Sequence, residues 1–106
     1  MIRVVYNREA HRLTVRGHAE SGAHGHDLVC AAVSILVFTL AQLLSEMEEK
    51  NYITEPVVKL EEGDAELSCK GELTHSLKLV FDTICTGFQL LAAQYPENVV
   101  LSVVEG

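Results

Sequence analysis

The run DLVCAAVSILVFTLAQLL, residues 27–44, decides the fold because it is the longest apolar segment of this chain. Its apolar residues lie nearly all round a helix, and a charged segment ending at Lys50 follows, so we predict one helix from Asp27 to about Lys50. The stretch Leu28–Leu44 is short for a membrane span, which takes about 20 apolar residues. A helix with more than one apolar face must be covered on more than one side, by a second helix or by another subunit.

The segments around this helix alternate between apolar and polar residues, as half-buried strands do. In Ile2–Tyr6 the even positions form the apolar face, and a turn over 7–11 precedes the next alternating segment. An acidic tip, residues 61–64, joins two later strands, and we interpret it as solvated rather than as a metal site. The predicted elements besides the first helix are strands over 2–6, 12–16, 56–60, 65–70 and 98–104, and a second helix that begins at Thr74 or His75 and is terminated by Pro96.

The order of these elements predicts the fold class. Strands paired locally in the order β-β-α-β-β-α-β give an α+β fold, a small and mainly antiparallel sheet covered by two helices. The length of 106 residues and the absence of a linker predict a single domain over residues 1–106.

The charge of the chain restricts its partners. A net charge of −7, with only eight Lys and Arg residues, makes a nucleic acid an unfavourable direct partner and a basic peptide a favourable one. The first residues show no basic region leading into an apolar stretch, so we expect no secretory signal, no membrane anchor and a cytoplasmic location. The three cysteines are an odd number without CxxC spacing, which indicates reduced thiols.

Two residues twelve positions apart have the chemistry of a thiol nucleophile and its base. Cys30 lies near the start of the predicted helix, where unpaired N–H groups favour a thiolate, and His18 follows the second strand. In a regular strand the His18 side chain would lie on the face opposite Leu13 and Val15. We therefore expect Gly17 to bend the chain and turn His18 toward Cys30.

Other polar residues surround this pair. Asp27 is predicted as the N-cap of the helix, or as a partner of His18 in its imidazolium form. Ser34 lies one turn beyond Cys30, where its hydroxyl either bonds back to the Cys30 carbonyl or faces the site. A glycine loop containing Gly22 and Gly25 connects His18 to Cys30, and we expect it to admit a peptide.

The motifs resemble those of a known family. The triplet Gly17-His18-Ala19, the glycine loop and the block Asp27–Ser34 are similar to the signature of the Prp family of bacterial ribosomal-processing cysteine proteases. The resemblance implies that His18 and Cys30 are catalytic and that Gly17, Asp27 and Ser34 support them. It also implies a cytoplasmic homodimer that needs no cofactor and removes the short N-terminal extension of large-subunit ribosomal protein twenty-seven.

Two other interpretations stay open from the sequence. A noncatalytic acidic module for ribosome assembly would use the same charge without needing Cys30. A metal-binding module would use His24 and His26, although H-x-H-D on a glycine loop fits no common zinc pattern. A redox module would require Cys69 or Cys85 as well as Cys30.

Overall fold

The computed structural model describes residues 1–18 and 26–106, with the backbone alone for His26 and Asp27. Its elements follow the predicted order and confirm the α+β class. The helix predicted from Asp27 begins one residue earlier. The elements are β1 (Ile2–Asn7), β2 (Arg12–Gly17), α1 (His26–Glu49), β3 (Thr54–Glu61), β4 (Asp64–Lys70), α2 (Thr74–Gln94) and β5 (Val99–Val104).

The five strands form one sheet in the order β3-β4-β2-β1-β5. The pairs β1–β2, β2–β4 and β3–β4 are antiparallel, whereas β5 returns parallel to β1 after α2. Both helices cover the same face of this sheet, with α1 over β3 and β4 and α2 beside β5. The strands β3 and β5 therefore form the two edges.

The alternation predicted from the sequence sets which side chains enter the core. Ile2, Val4 and Tyr6 of β1 are buried, as are Leu13 and Val15 of β2. The residues of α2 that face the core recur at helical spacing, with Val80 only partly buried beside them. The buried ones are Leu77, Phe81, Ile84, Cys85, Phe88 and Leu91. The outer face of the sheet has no helix in the described part of the chain.

The prediction that α1 is buried is correct for one side of the helix only. Val29, Val37, Leu40 and Leu44 are buried against the sheet and α2. Leu28, Ile35 and Phe38 are each more than half exposed, and their spacing of seven and three residues places them on one outward stripe. By length and composition alone both helices reach what a membrane span requires, but each packs one face on the sheet.

Hydrogen bonds among three polar side chains link the end of β1 to α2. The Tyr6 hydroxyl donates to Asp82 Oδ1 at 2.8 Å, and Arg8 donates to both carboxylate oxygens through Nε at 3.1 Å and Nη2 at 2.9 Å. The hydrogen bonds from Arg8 lower the pKa of Asp82, so this carboxylate stays charged at neutral pH.

The turn between β1 and β2 contains a buried histidine. His11 closes the β1–β2 turn with a φ of 49°, packs against Phe81, and within the described residues leaves its buried Nδ1 without a hydrogen-bond partner. Burial, and then the charge of Lys78, lower the pKa of His11, although Glu9 opposes this. The folded protein therefore keeps His11 neutral where the unfolded chain takes up a proton, near pH 6.5 and below.

We expect the free energy of unfolding to fall as the pH drops from 7 to 5, and to fall less steeply in His11→Asn. Asparagine tolerates the left-handed backbone and does not titrate. Urea unfolding of both proteins at several pH values measures the two slopes. Parallel slopes would show that His11 does not contribute.

Candidate active site

A cleft of about 390 Å³ opens on the helix side of the sheet, where three parts of the chain meet. These parts are the adjoining ends of β1 and β2, residues 30–38 of α1 and the β3–β4 tip. The lower wall is apolar and the rim is acidic. Its lining residues are Ile2, Val15, Gly17, His18, Cys30, Val33, Ser34, Val37, Phe38, Leu60, Glu61, Glu62, Gly63, Asp64 and Ala65.

Cys30 lines this cleft and differs from the other two cysteines. It is partly exposed and lies four residues after the first residue of α1. Because side chains of a helix lean toward its N-terminus, its sulfur lies toward the turn whose N–H groups have no intrahelical partner. Cys69 and Cys85 are buried in the core. Burial raises the pKa of Cys69 to about 11 and also raises the pKa of Cys85, so both remain protonated thiols.

His18 lines the same cleft directly after β2 ends at Gly17. Gly17 has a φ of 105°, and a Cβ there would collide with the carbonyl oxygen of Met1, so only glycine fits. Regular alternation after Val15 would place His18 on the outer face of the sheet. The structure places it with Val15 on the helix side, and the irregular backbone at Gly17 accounts for the change of face.

Hydrogen bonds on both sides hold the backbone around His18. The Met1 nitrogen donates to the His18 carbonyl at 2.6 Å, and the Gly17 N–H donates to the Gly63 carbonyl at 3.0 Å. These bonds tie the end of β2 to the start of β1 and to the β3–β4 tip.

The His18 ring packs directly on Gly63, a contact that the sequence analysis did not predict. A Cβ on Gly63 would lie 2.5 Å from Nε2 and 2.6 Å from Cε1 of His18, and the φ of Gly63 is 73°. Gly63 therefore leaves space for the ring and also takes a left-handed conformation in the turn. The sequence EEGD signals the turn, but no local pattern relates residue 63 to residue 18.

The supporting residues predicted from the sequence have different outcomes. Ser34 lies in the cleft, one turn after Cys30, but its hydroxyl does not bond back to the Cys30 carbonyl. The prediction that Asp27 is the N-cap is wrong, because α1 begins at His26 and Asp27 lies inside its first turn. Gly22 and Gly25, as well as His24, lie outside the described residues.

The acidic tip forms the rim of the cleft. Asp64 accepts hydrogen bonds from Lys59 at 2.8 Å and Arg16 at 3.0 Å, and the bond from Lys59 is the main cause of its lowered pKa. Glu62 makes no ion pair with any described residue. Among the described residues, the tip thus leaves the carboxylate of Glu62 in the cleft lining without a cationic partner.

Comparisons with known proteins agree on one family. The family described as cysteine protease Prp matches residues 1–100. The ribosomal processing cysteine protease Prp of Staphylococcus aureus, in strains Mu50 and NCTC 8325, is 28% identical over 90 residues, which are 81% of this chain and 79% of the relative.

Solved structures show the same fold. The S. aureus protease Prp in complex with a substrate peptide superposes with a TM-score of 0.72 at 20% identity, covering 96% of both chains. The S. aureus protease with a covalently linked product peptide gives a TM-score of 0.68 at 22% identity, again covering 96% of both chains. SMU.848 from Streptococcus mutans gives 0.66 at 24% identity, covering 99% of this chain and 93% of the other. With the family match over nearly the whole sequence, this chain belongs to the Prp family of cysteine proteases.

Proposed function

We propose that this protease removes the short N-terminal extension of large-subunit ribosomal protein twenty-seven, with Cys30 as the nucleophile and His18 as the general base. The observation that carries the proposal is that one cleft contains both residues, although twelve positions separate them in the sequence. The S. aureus relatives are named ribosomal processing proteases, and one of them holds a covalently linked product peptide.

The proposed reaction uses the thiol of Cys30 and the ring of His18 in two steps. His18 takes the thiol proton as the sulfur attacks the scissile carbonyl, and the oxyanion lies near the free N–H groups of the first turn of α1. The C–N bond breaks as His18 gives its proton to the leaving amine, which leaves a thioester on Cys30. Water then attacks the thioester, releasing the acid and restoring the thiol.

Three further residues have supporting roles in this proposal. Gly17 directs His18 into the cleft through its left-handed backbone. Ser34 presents a hydroxyl with no other partner among the described residues, so it is available to the substrate or to the site. Asp27 is the proposed partner of His18 in its imidazolium form.

The charge and the composition of the cleft support a ribosomal protein as the substrate. Such proteins are basic, whereas this chain carries a net charge of −7 and an acidic rim at its cleft. The apolar wall formed by Val33, Val37 and Phe38 suits apolar residues beside the scissile bond. We also propose that the protein works in the cytoplasm, with no membrane and no direct nucleic-acid contact.

The exposed stripe of α1 supports a homodimer. The two members of this stripe that do not line the cleft, Leu28 and Ile35, form an apolar surface on a helix whose other face is already packed. A second copy of the chain would remove this surface from water, which is the main driving force for association.

The experiment incubates the protein with a peptide that spans the extension junction of the host's ribosomal protein, and it identifies products by mass spectrometry. We expect one cut by the wild type, none by Cys30→Ala, and the same cut by Cys69→Ala, the matched control. Peptide that stays intact but bound to all three proteins would contradict the proposal and favour the noncatalytic binding module.

A further inference from the structure

One edge of the sheet leads directly into the cleft. Leu60 and Glu61, the last residues of the edge strand β3, line the cleft that holds Cys30. The opposite edge strand, β5, contributes no residue to this lining among the described parts of the chain. The site is therefore next to a sheet edge on which no further strand of the described residues pairs.

The hydrogen bond between Gly17 and Gly63 indicates which backbone N–H and C=O groups of β3 do not bond to β4. Because Gly17 donates to Gly63 across β2 and β4, the next pair, Arg16 with Asp64, is a pair without mutual hydrogen bonds. The N–H and C=O of Asp64 thus face β3, where Asp64 pairs with Glu61.

Along β3, the N–H and C=O groups of successive residues point alternately toward β4 and away from it, beginning with Glu61. Glu61 and Lys59 bond to β4, whereas the N–H and C=O of Leu60 and Val58 point away from the sheet. None of the described backbone groups bonds to these outward-facing ones.

The part of β3 with unpaired backbone groups is short, and it ends on the side of Val58 that is farther from the cleft. Pro56 has no N–H, and the register shifts between Thr54 and Val57, where Glu55 takes a φ of 49°. A proline and a bulge are features that stop a neighbouring strand from pairing. The open ladder is thus confined to Val58 and Leu60, beside the cleft.

An apolar surface accompanies this open ladder. Val58 and Leu60 lie opposite Leu67 and Ala65, which are buried, so their side chains are on the helix side of the sheet. Even so, Val58 is 43% exposed and Leu60 is 45% exposed. Leu60 and Phe38 of α1 line the cleft, and Val58 lies on the same face of β3, so the apolar wall of the cleft continues along this strand as a shallow groove.

We propose that the substrate binds as a sixth strand, with its main chain paired to Val58 and Leu60 of β3 and alternate apolar side chains in the groove beside Phe38. This inference rests on the proposed function, since the occupant is the peptide cleaved at Cys30. An extended chain is the ligand that a free ladder fits, because its N–H and C=O groups alternate at the same spacing. The register of the added strand would then set which bond reaches the nucleophile.

Variants of Val58 test the role of the main chain. Val58→Pro removes an N–H that does not bond to β4, so the sheet tolerates it, and Val58→Ala is the matched control that loses the side chain but keeps the N–H. We expect KM for the junction peptide to be about tenfold higher in Val58→Pro than in Val58→Ala, with kcat similar. Equal KM values would overturn the inference. A dimer dissociated by Val58→Pro alone, measured by light scattering, would also overturn it, because a second copy would then occupy the edge.

A second test changes the peptide instead of the enzyme, by using a series of N-methylated peptides. Each peptide carries one N-methyl group, and its Kd for the Cys30→Ala protein is measured by calorimetry. We expect methylation at alternate residues to weaken binding about tenfold and the intervening residues to tolerate it. If the wild type cuts the peptide but every methylated form binds equally well, strand addition is refuted and the proposed function is not. A peptide that is neither bound nor cut would refute the proposed function and, with it, this inference.

Discussion

Replacing His18 with alanine should lower kcat by about 10³-fold, because the thiol then has no base and the leaving amine has no acid. KM should change little, since the apolar wall and the β3 edge that bind the peptide remain. Steady-state cleavage of the junction peptide measures both constants. Added imidazole should restore part of kcat by filling the space that the ring leaves.

The matched control is His75→Ala, which removes an exposed histidine at the start of α2, where no cleft residue lies. Its kcat should equal that of the wild type. A His18→Ala enzyme with kcat within twofold of the wild type would exclude His18 as the base.

Replacing Gly63 with alanine should lower kcat by about 10²-fold while the His18 side chain itself is unchanged. The new Cβ would lie 2.5 Å from Nε2, so the ring has to move, and a displacement of about 1 Å in a catalytic group costs this much. We expect KM to change far less than kcat. The imidazole resonances of His18 in an NMR spectrum should shift as well.

Alanine at Gly63 also has to adopt a left-handed backbone, which costs about 1 kcal/mol by itself. Asn51→Ala imposes a similar cost, because Asn51 has a φ of 62° beyond the end of α1 and lies outside the cleft lining. We expect Asn51→Ala to lower stability without changing kcat or the His18 resonances. If Gly63→Ala behaved in the same way, Gly63 would be a turn residue with no effect on His18.

Local patterns in the sequence were sufficient for the elements, and they singled out His18 and Cys30, which the structure places in one cleft. Alternation predicted β1 and β2, Pro96 marked the end of α2, and Gly17 with His18 marked the end of a strand. These features depend on residues within a few positions of one another, so a single sequence contains them. The chemistry of Cys30 near a helix start is local in the same sense.

The features that were missed depend on contacts between distant segments. The Gly63 contact joins the β3–β4 tip to His18, and the free edge beside Leu60 depends on which strands pair. The exposed side of α1 was missed because an apolar helix face looks the same whether the chain itself or a partner covers it. The predicted start of α1 at Asp27 was late by one residue, the usual error for helix ends.

The bond from Gly17 to Gly63 makes one amide proton a reporter of the site. Its exchange with deuterium requires the β3–β4 tip to separate from β2, and the same separation removes the surface on which the His18 ring rests. The exchange rate of this proton therefore measures how often the histidine loses its support. The sheet cannot open at this end without displacing the proposed base. A working enzyme therefore requires the bond between Gly17 and Gly63 to stay closed for most of the time.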